Sequence, residues 1–258
     1  MKIHETYNGT KAQRHRWVKL SLLIASIIIG CYSYGFAEKL PFSKEEVLSF
    51  SVEMFGIKIG AQTMQACLLP GSQTLKLISE TKTSPFASRI YKLHNKIETH
   101  ISIKDSLPIY INNQTQEGKY IKHWTAEIDQ RNHLGTITIV NGTGDKKIGQ
   151  KQAVLSLQPN TINIPALIYY LRTTELGTNS SLSFALLKED NTEKIIARVA
   201  KQERIRVTYG EFSTLKVVSS SGDVIVWFTN DKKRLPIRIK CQTNAGWLKA
   251  ELTNVRVM

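Results

Sequence analysis

From Val47 onward the chain runs in short stretches of alternating or β-branched apolar positions, cut by turn residues. Runs at 47–55, 62–69 and 74–83 are separated by Gly56, Gly60 and Pro70-Gly71. Further runs at 95–103, 109–117, 120–129, 136–140 and 154–157 are broken by Pro108, Gly118, Gly135 and the Asn141-Gly142-Thr143-Gly144-Asp145 string. The C-terminal part adds 182–187, 194–207, 212–219, 224–229, 236–242 and 247–255. Strands of this length at this spacing predict an antiparallel barrel or half-barrel, a curved sheet with one or two short helices packed on it or plugging it. On the last run Leu248, Ala250 and Leu252 share one face while Lys249 and Glu251 share the other, so one side of the sheet is wet.

Two stretches depart from this period. The 85–93 segment has apolar residues at Phe86, Ile90 and Leu93 after Ser84-Pro85, which predicts a short helix. Ile164-Pro165-Ala166-Leu167-Ile168-Tyr169-Tyr170-Leu171-Arg172 opens with the same first-turn proline and predicts a second. Hairpin turns are expected at Tyr209-Gly210, at 230–234 and at Asn244-Ala245-Gly246. No Pro/Ser/Gly-rich linker divides the chain, so residues 38–258 read as a single β-rich domain.

The first 37 residues read differently. Lys2, Lys11, Arg14, Arg16 and Lys19 precede an apolar run at 20–29 and the small-x-small triplet Gly35-Phe36-Ala37. These are the parts of a secretory signal peptide cleaved between Ala37 and Glu38. Ile28-Ile29-Gly30-Cys31 is lipobox-like, which offers Cys31 as an alternative, acylated first residue; an uncleaved anchor over 17–36 is a third processing outcome. The protein is therefore expected to be exported and periplasmic, either free or held at a membrane as a lipoprotein or by its N-terminus.

Export changes the meaning of the charge. The 258-residue chain carries a net +14, of which the five basic and one acidic residues of 1–37 account for +4, leaving +10 on the rest. Nucleic acid is thereby disfavoured, and the basic positions Arg204, Arg206, Lys232, Lys233 and Arg234 suit an anionic membrane surface or another envelope polyanion. An oxidising compartment also makes a Cys67–Cys241 disulfide a candidate, against the alternative that Cys241, sharing a face with Ile237 and Ile239, is a buried free thiol.

A family resemblance lies in the same segments. Tyr209-Gly210-Glu211-Phe212-Ser213-Thr214-Leu215-Lys216-Val217 carries a G-x-F-x-T-x-x-V turn. Trp227-Phe228-Thr229-Asn230-Asp231-Lys232-Lys233-Arg234-Leu235-Pro236 carries a W-hydrophobic-[ST]-x-D-x-x-R-x-P hairpin. With Leu167-Ile168-Tyr169-Tyr170-Leu171-Arg172, Ile59-Gly60-Ala61 and Phe86-Ala87-Ser88-Arg89-Ile90-Tyr91, these strings resemble the bacterial envelope family catalogued as domain of unknown function 3108, over about residues 40–257. Where that family has an acid at the start of the tyrosine helix, Asn163 stands here. The resemblance implies an exported β-rich domain and no known activity.

Candidate chemistry is sparse. His94, Glu98 and His100 fall close together, but no HExxH or CxxC spacing supports a metal, and no cofactor is expected. No G-x-S-x-G elbow, P-loop or dinucleotide fingerprint is present, so no catalytic residue is assigned. The sharper reading concerns an apolar ligand, with Phe86, Ile90, Leu167, Tyr169, Tyr170 and Trp227 as its lining. A carrier of a lipidic or apolar ligand is thus the first functional expectation. A structural or assembly factor of the envelope is the second, and a hydrolase with an unseen site the third.

Overall fold

The computed structural model describes residues 40, 42, 44–144, 146–177, 179–243 and 246–258. The expected signal segment, with its Ala37/Glu38 cleavage point and Cys31, lies outside the described residues, as do Asn244 and Ala245 of one predicted turn. The first eight strands are β1 (Glu45–Met54), β2 (Ile57–Leu68), β3 (Thr74–Thr83), β4 (Leu93–Ser102), β5 (Pro108–Glu117), β6 (Tyr120–Asp129), β7 (Leu134–Thr143) and β8 (Lys146–Ser156). A short β9 (Thr161–Ile162) leads into the helix α1 (Ile164–Thr173). β10 (Ser181–Leu187), β11 (Thr192–Val207), β12 (Gly210–Ser219), β13 (Val224–Thr229), β14 (Pro236–Thr243) and β15 (Gly246–Val257) follow.

All belong to one 15-stranded sheet in the order β8-β7-β6-β5-β4-β3-β2-β1-β15-β14-β13-β12-β11-β10-β9. Neighbours are antiparallel except β9 beside β10. The first strand and the last meet in the middle, with Leu48 opposite Val255 and Val52 opposite Ala250. The two ladder edges, β8 and β9, are consecutive in sequence. The sheet curls until the turn after β10 reaches its other half, where Lys122 holds Glu189 at 2.7 Å and Lys151 holds Asp190 at 3.1 Å. Side chains rather than a backbone ladder draw the sheet round into its barrel-like form.

Curvature gives the sheet a dry inside. Glu46, Leu48, Phe50 and Val52 of β1 alternate inward with Met64, Ala66, Leu75 and Leu77 of β2 and β3. A smaller apolar cluster, Ile111, Trp124, Ala126, Ile137 and Ile139, fills the β5–β7 part, and Leu187 reaches it from β10. Helix α1 fills the larger part and is buried on almost every side, as Pro165, Ala166, Leu167, Ile168, Tyr169, Leu171 and Arg172 are all inside. Its start is fixed by Asn163, whose side chain accepts from the Ala166 N–H at 3.2 Å and donates to Thr99 Oγ1 at 2.7 Å.

Three expectations are corrected. The short helix at 85–93 is a single 3-10 turn, Ala87–Arg89, because its apolar residues face outward and no buried stripe supports a longer one. β2 starts at Ile57 rather than 62, since a bulge opposite Val52/Glu53 admits Gly60 into the ladder. β7 and β8 continue through the Gly-rich string to its tip. β8 pairs on one side only and is mostly exposed, so its Lys- and Gln-rich sequence carries no alternation to read.

Candidate functional site

The hairpin ends of the curved sheet define two rims. One carries the β1–β2 turn, the 84–92 loop, the β5–β6 turn and the paired ends of β14 and β15 at Thr243 and Gly246, brought together by Met54 pairing with both Ile57 and Leu248 and by Leu93 pairing with Glu117. At this rim the inner face opens into an apolar pocket of about 660 Å³. Met54, Ile59, Leu93 and Leu248 line its half-buried part, and Phe55, Ile57, Phe86, Ile90 and Tyr91 stand around its mouth. The volume lies within the range of about 300–1,000 Å³ usual for small-molecule sites.

The mouth residues are held in place. Phe55 sits at φ 51°, a left-handed conformation that a two-residue hairpin turn normally gives to Asn, Asp or Gly. Its ring lies over Gly246, where an added Cβ would come within 2.9 Å of it. The 84–92 loop is closed at its neck by Thr83, whose Oγ1 accepts from the Leu93 N–H at 3.0 Å and bonds the Ser88 hydroxyl at 2.8 Å. Ser84 Oγ accepts from the Ala87 N–H at 3.3 Å. Phe55, Phe86 and Ile90 are nonetheless 79%, 73% and 85% exposed. Full burial of each such side chain would gain about 1.5–3 kcal/mol.

The predicted lining separates into three places. Phe86 and Ile90 stand at the pocket mouth. Leu167 and Tyr169 belong to the core, and Tyr170 packs edge-to-face on Phe184 at 5.1 Å. Beside Leu167 there remains a crevice of only about 20 Å³, room for about one water. Trp227 lies on the opposite, convex face. Its indole N–H donates to Glu203 at 2.5 Å, and Lys216, Arg238 and Lys240 stand 5.2, 5.7 and 5.9 Å from its ring. The loop residues and the helix residues thus line two separate openings, and α1 fills the space between the sheet walls on its own side.

Arg172 is the polar group that α1 carries inside. It meets Glu46 of β1 through Nη1 at 2.5 Å and Nη2 at 2.9 Å. The Tyr169 hydroxyl donates to the same carboxyl group at 3.2 Å, and Nη2 also reaches the Lys233 carbonyl at 3.3 Å. Burial alone would lower the Arg172 pKa, but the hydrogen bonds and charge of Glu46 outweigh it and hold the guanidinium above its ordinary value. Burial pushes the Tyr169 hydroxyl strongly upward. Neither group is offered to a ligand; this cluster fastens the plug.

The remaining candidates are dispersed. Cys67 on β2 and Cys241 on β14 are both free thiols, so the free-thiol alternative replaces the candidate disulfide, with β1 and β15 lying between the two strands. Burial pushes the Cys241 thiol up to about 11. Arg204 and Arg206 both face Glu211, at 3.9 and 2.6 Å, while Lys232 and Lys233 are exposed on the β13–β14 turn. Arg234 is half-buried there at φ 47°. That turn is built by Asp231, which accepts from the Lys233 and Arg234 N–H groups at 3.0 and 2.9 Å. His94 pairs with Glu80 and His100 with Glu98, each at 2.8 Å. Among the described residues no three metal-ligating side chains converge, and no described helix is long and apolar enough to cross a membrane.

Sequence reading missed Glu46, Phe55 and Ile57. Glu46 had a signal, an acid on the inward parity of a strand whose other inward residues are apolar. Phe55 had one too, an aromatic where hairpin chemistry asks for Asn or Gly.

Comparison with known proteins agrees with this architecture. Among solved structures the chain is similar to a protein from Brucella abortus described as a beta-barrel-like protein of domain of unknown function DUF1849. The TM-score is 0.51 at 9% identity, over 83% of this chain and 98% of that one, which shows the fold alone. No curated protein matches the sequence. The family described as "Protein of unknown function (DUF3108)" matches residues 49–253, and the chain belongs to it.

Proposed function

We propose that the protein is an exported binding module of the cell envelope that takes a lipidic or otherwise apolar ligand into the rim pocket. The observation that carries this reading is the apolar opening of about 660 Å³ between two pinned hairpin ends. Its half-buried wall and most of its exposed lip are apolar, which suits a flexible hydrocarbon chain better than a polar metabolite. Export rests on the basic, apolar and small-residue order of the first 37 residues.

Organic extraction of the purified protein followed by mass spectrometry tests the reading, together with uptake of the probe N-phenylnaphthylamine. A co-purifying lipid and a probe signal abolished by Leu248→Trp, which fills the pocket, are expected. No lipid and an unchanged signal in L248W would end the carrier proposal. Intact mass of the secreted protein separates Glu38 from acylated Cys31 as the first residue. Assembly through a sheet edge is the weaker reading, since the free edge β8 carries Lys146, Lys147, Gln150, Lys151 and Gln152, a composition that blocks strand addition.

A further inference from the structure

The rim has a second property, independent of its pocket. Phe55, Phe86 and Ile90 leave most of their side-chain surface bare at the lip, and Ile57 and Tyr91 beside them are also mostly exposed. The exposure is built in: Phe55 occupies a left-handed turn position unsuited to an aromatic residue, and the 84–92 loop is closed by three hydrogen bonds around Thr83 and Ser88. Lys58, Arg89, Lys92 and Lys119 are exposed around these side chains and form no ion pair among the described residues. Of the acids near this rim, Glu53 is already paired with Lys249, and Glu80 with Lys82 and His94. Glu117 is left as the single acid lining the mouth.

Apolar tips ringed by cations match the interface of an anionic bilayer, where side chains enter the acyl boundary while Lys and Arg remain among the head groups. We infer that this rim docks on an anionic phospholipid surface, with Phe55, Phe86 and Ile90 inserted and Lys58, Arg89, Lys92 and Lys119 on the head groups. A docked mouth faces the acyl layer directly, so a chain could pass between bilayer and pocket without crossing water. That consequence rests on the ligand reading above; the docking itself does not. The opposite end, with Arg204 and Arg206 turned to Glu211, would point away from the membrane.

The test is co-sedimentation of the purified protein with vesicles of phosphatidylcholine alone or mixed with phosphatidylglycerol, at low and high salt. Binding to the mixed vesicles that falls with salt is expected, with little binding to phosphatidylcholine. A triple variant Lys58→Glu/Arg89→Glu/Lys92→Glu should lose about a hundredfold in partitioning, since each cation near an anionic surface counts for about fivefold. A Phe55→Ser/Phe86→Ser/Ile90→Ser variant should also fall away, while Arg204→Glu/Arg206→Glu should bind as before. All these positions are exposed, and circular dichroism verifies that the variants are folded. The pocket-filling L248W separates the two proposals, because it should lose probe uptake and keep vesicle binding. Equal partitioning of the parent and both rim triples would overturn the inference, as would loss of binding in the Arg204/Arg206 variant. A parent that is dimeric in sedimentation velocity and made monomeric by the serine triple would also overturn it, in favour of a second copy on this face.

Discussion

Arg172 on the helix and Glu46 on the first strand form a two-pronged ion pair inside the barrel, with side chains 0% and 1% exposed. The pair spans 126 residues of sequence and joins the plug to the seam where the first and last strands meet. Arg172 also lies over the Tyr169 ring at 4.9 Å. Removing one partner leaves a charge buried without compensation, which costs about 3–5 kcal/mol. Glu46→Gln and Arg172→Met should each lose stability on that scale in urea denaturation, and the double variant should lose clearly less than the sum. Additive losses would show that the two side chains act independently.

Gly60 is a second fixed point. A Cβ there would stand 2.2 Å from the Lys82 carbonyl oxygen and 3.0 Å from its carbon, both backbone atoms that cannot swing away. Gly60→Ala should therefore destabilise the protein by about 1–3 kcal/mol through overpacking. Gly56→Ala meets nothing within 4 Å and is strained only by its φ of +78°. A G60A variant as stable as the parent in thermal unfolding would contradict the close strand approach at the bulge.

Acid should weaken the fold in a defined direction. Glu203 is held below its ordinary 4.5, first by the Trp227 indole N–H and then by Lys201 and Lys216. Glu80 is held below 4.5 by its hydrogen bonds to Lys82 and His94. A depressed carboxyl contributes its full stabilisation above the unfolded value and loses it as pH falls through the folded one. Urea midpoints should thus fall progressively below about pH 4.5, and less steeply in Glu203→Gln. A midpoint unchanged down to the lowest accessible pH would contradict these contacts.

The two described thiols should differ in reactivity. Burial and then the charge of Asp223 push Cys241 up to about 11, while burial and then Glu45 raise Cys67. The thiolate is the reactive form, so alkylation at mildly alkaline pH should be slow at both sites, and slowest at Cys241. Peptide mapping without reductant should recover the two cysteines separately. A cross-linked peptide would contradict the strand order.

Much of the fold was legible because a curved sheet with one wet face writes its period into the chain. The Asp231 turn could be placed from Asn230-Asp231 and the proline that follows, and the tyrosine helix from Pro165 and its continuous apolar run. Asn163 does the work of a helix cap and also donates to Thr99, something a carboxylate cannot do. What was not legible depends on which face a residue takes after a bulge or at an edge. Trp227 reads as core and is covered, but by Lys216, Arg238 and Lys240 on the outside rather than by a cavity wall. Phe86 and Ile90 carry helical spacing and sit on a loop, since spacing cannot say whether anything lies opposite to bury them. The Cys67–Cys241 pairing failed for a topological reason, the insertion of both terminal strands between their partners.

That insertion has a wider meaning. If Met258 were linked to the start of β1 and the chain opened at 157–160, between the two edge strands, every ladder would be retained. In the resulting circular permutant each strand would pair only with its neighbours in sequence, an antiparallel meander from β10 through β15 and β1 to β8, with β9 joined in parallel through α1. In the natural order the β1–β15 ladder joins the strands farthest apart in sequence among the described residues, and closing it ties the first strand to the last. The permutant replaces that long closure with a local turn and should fold faster.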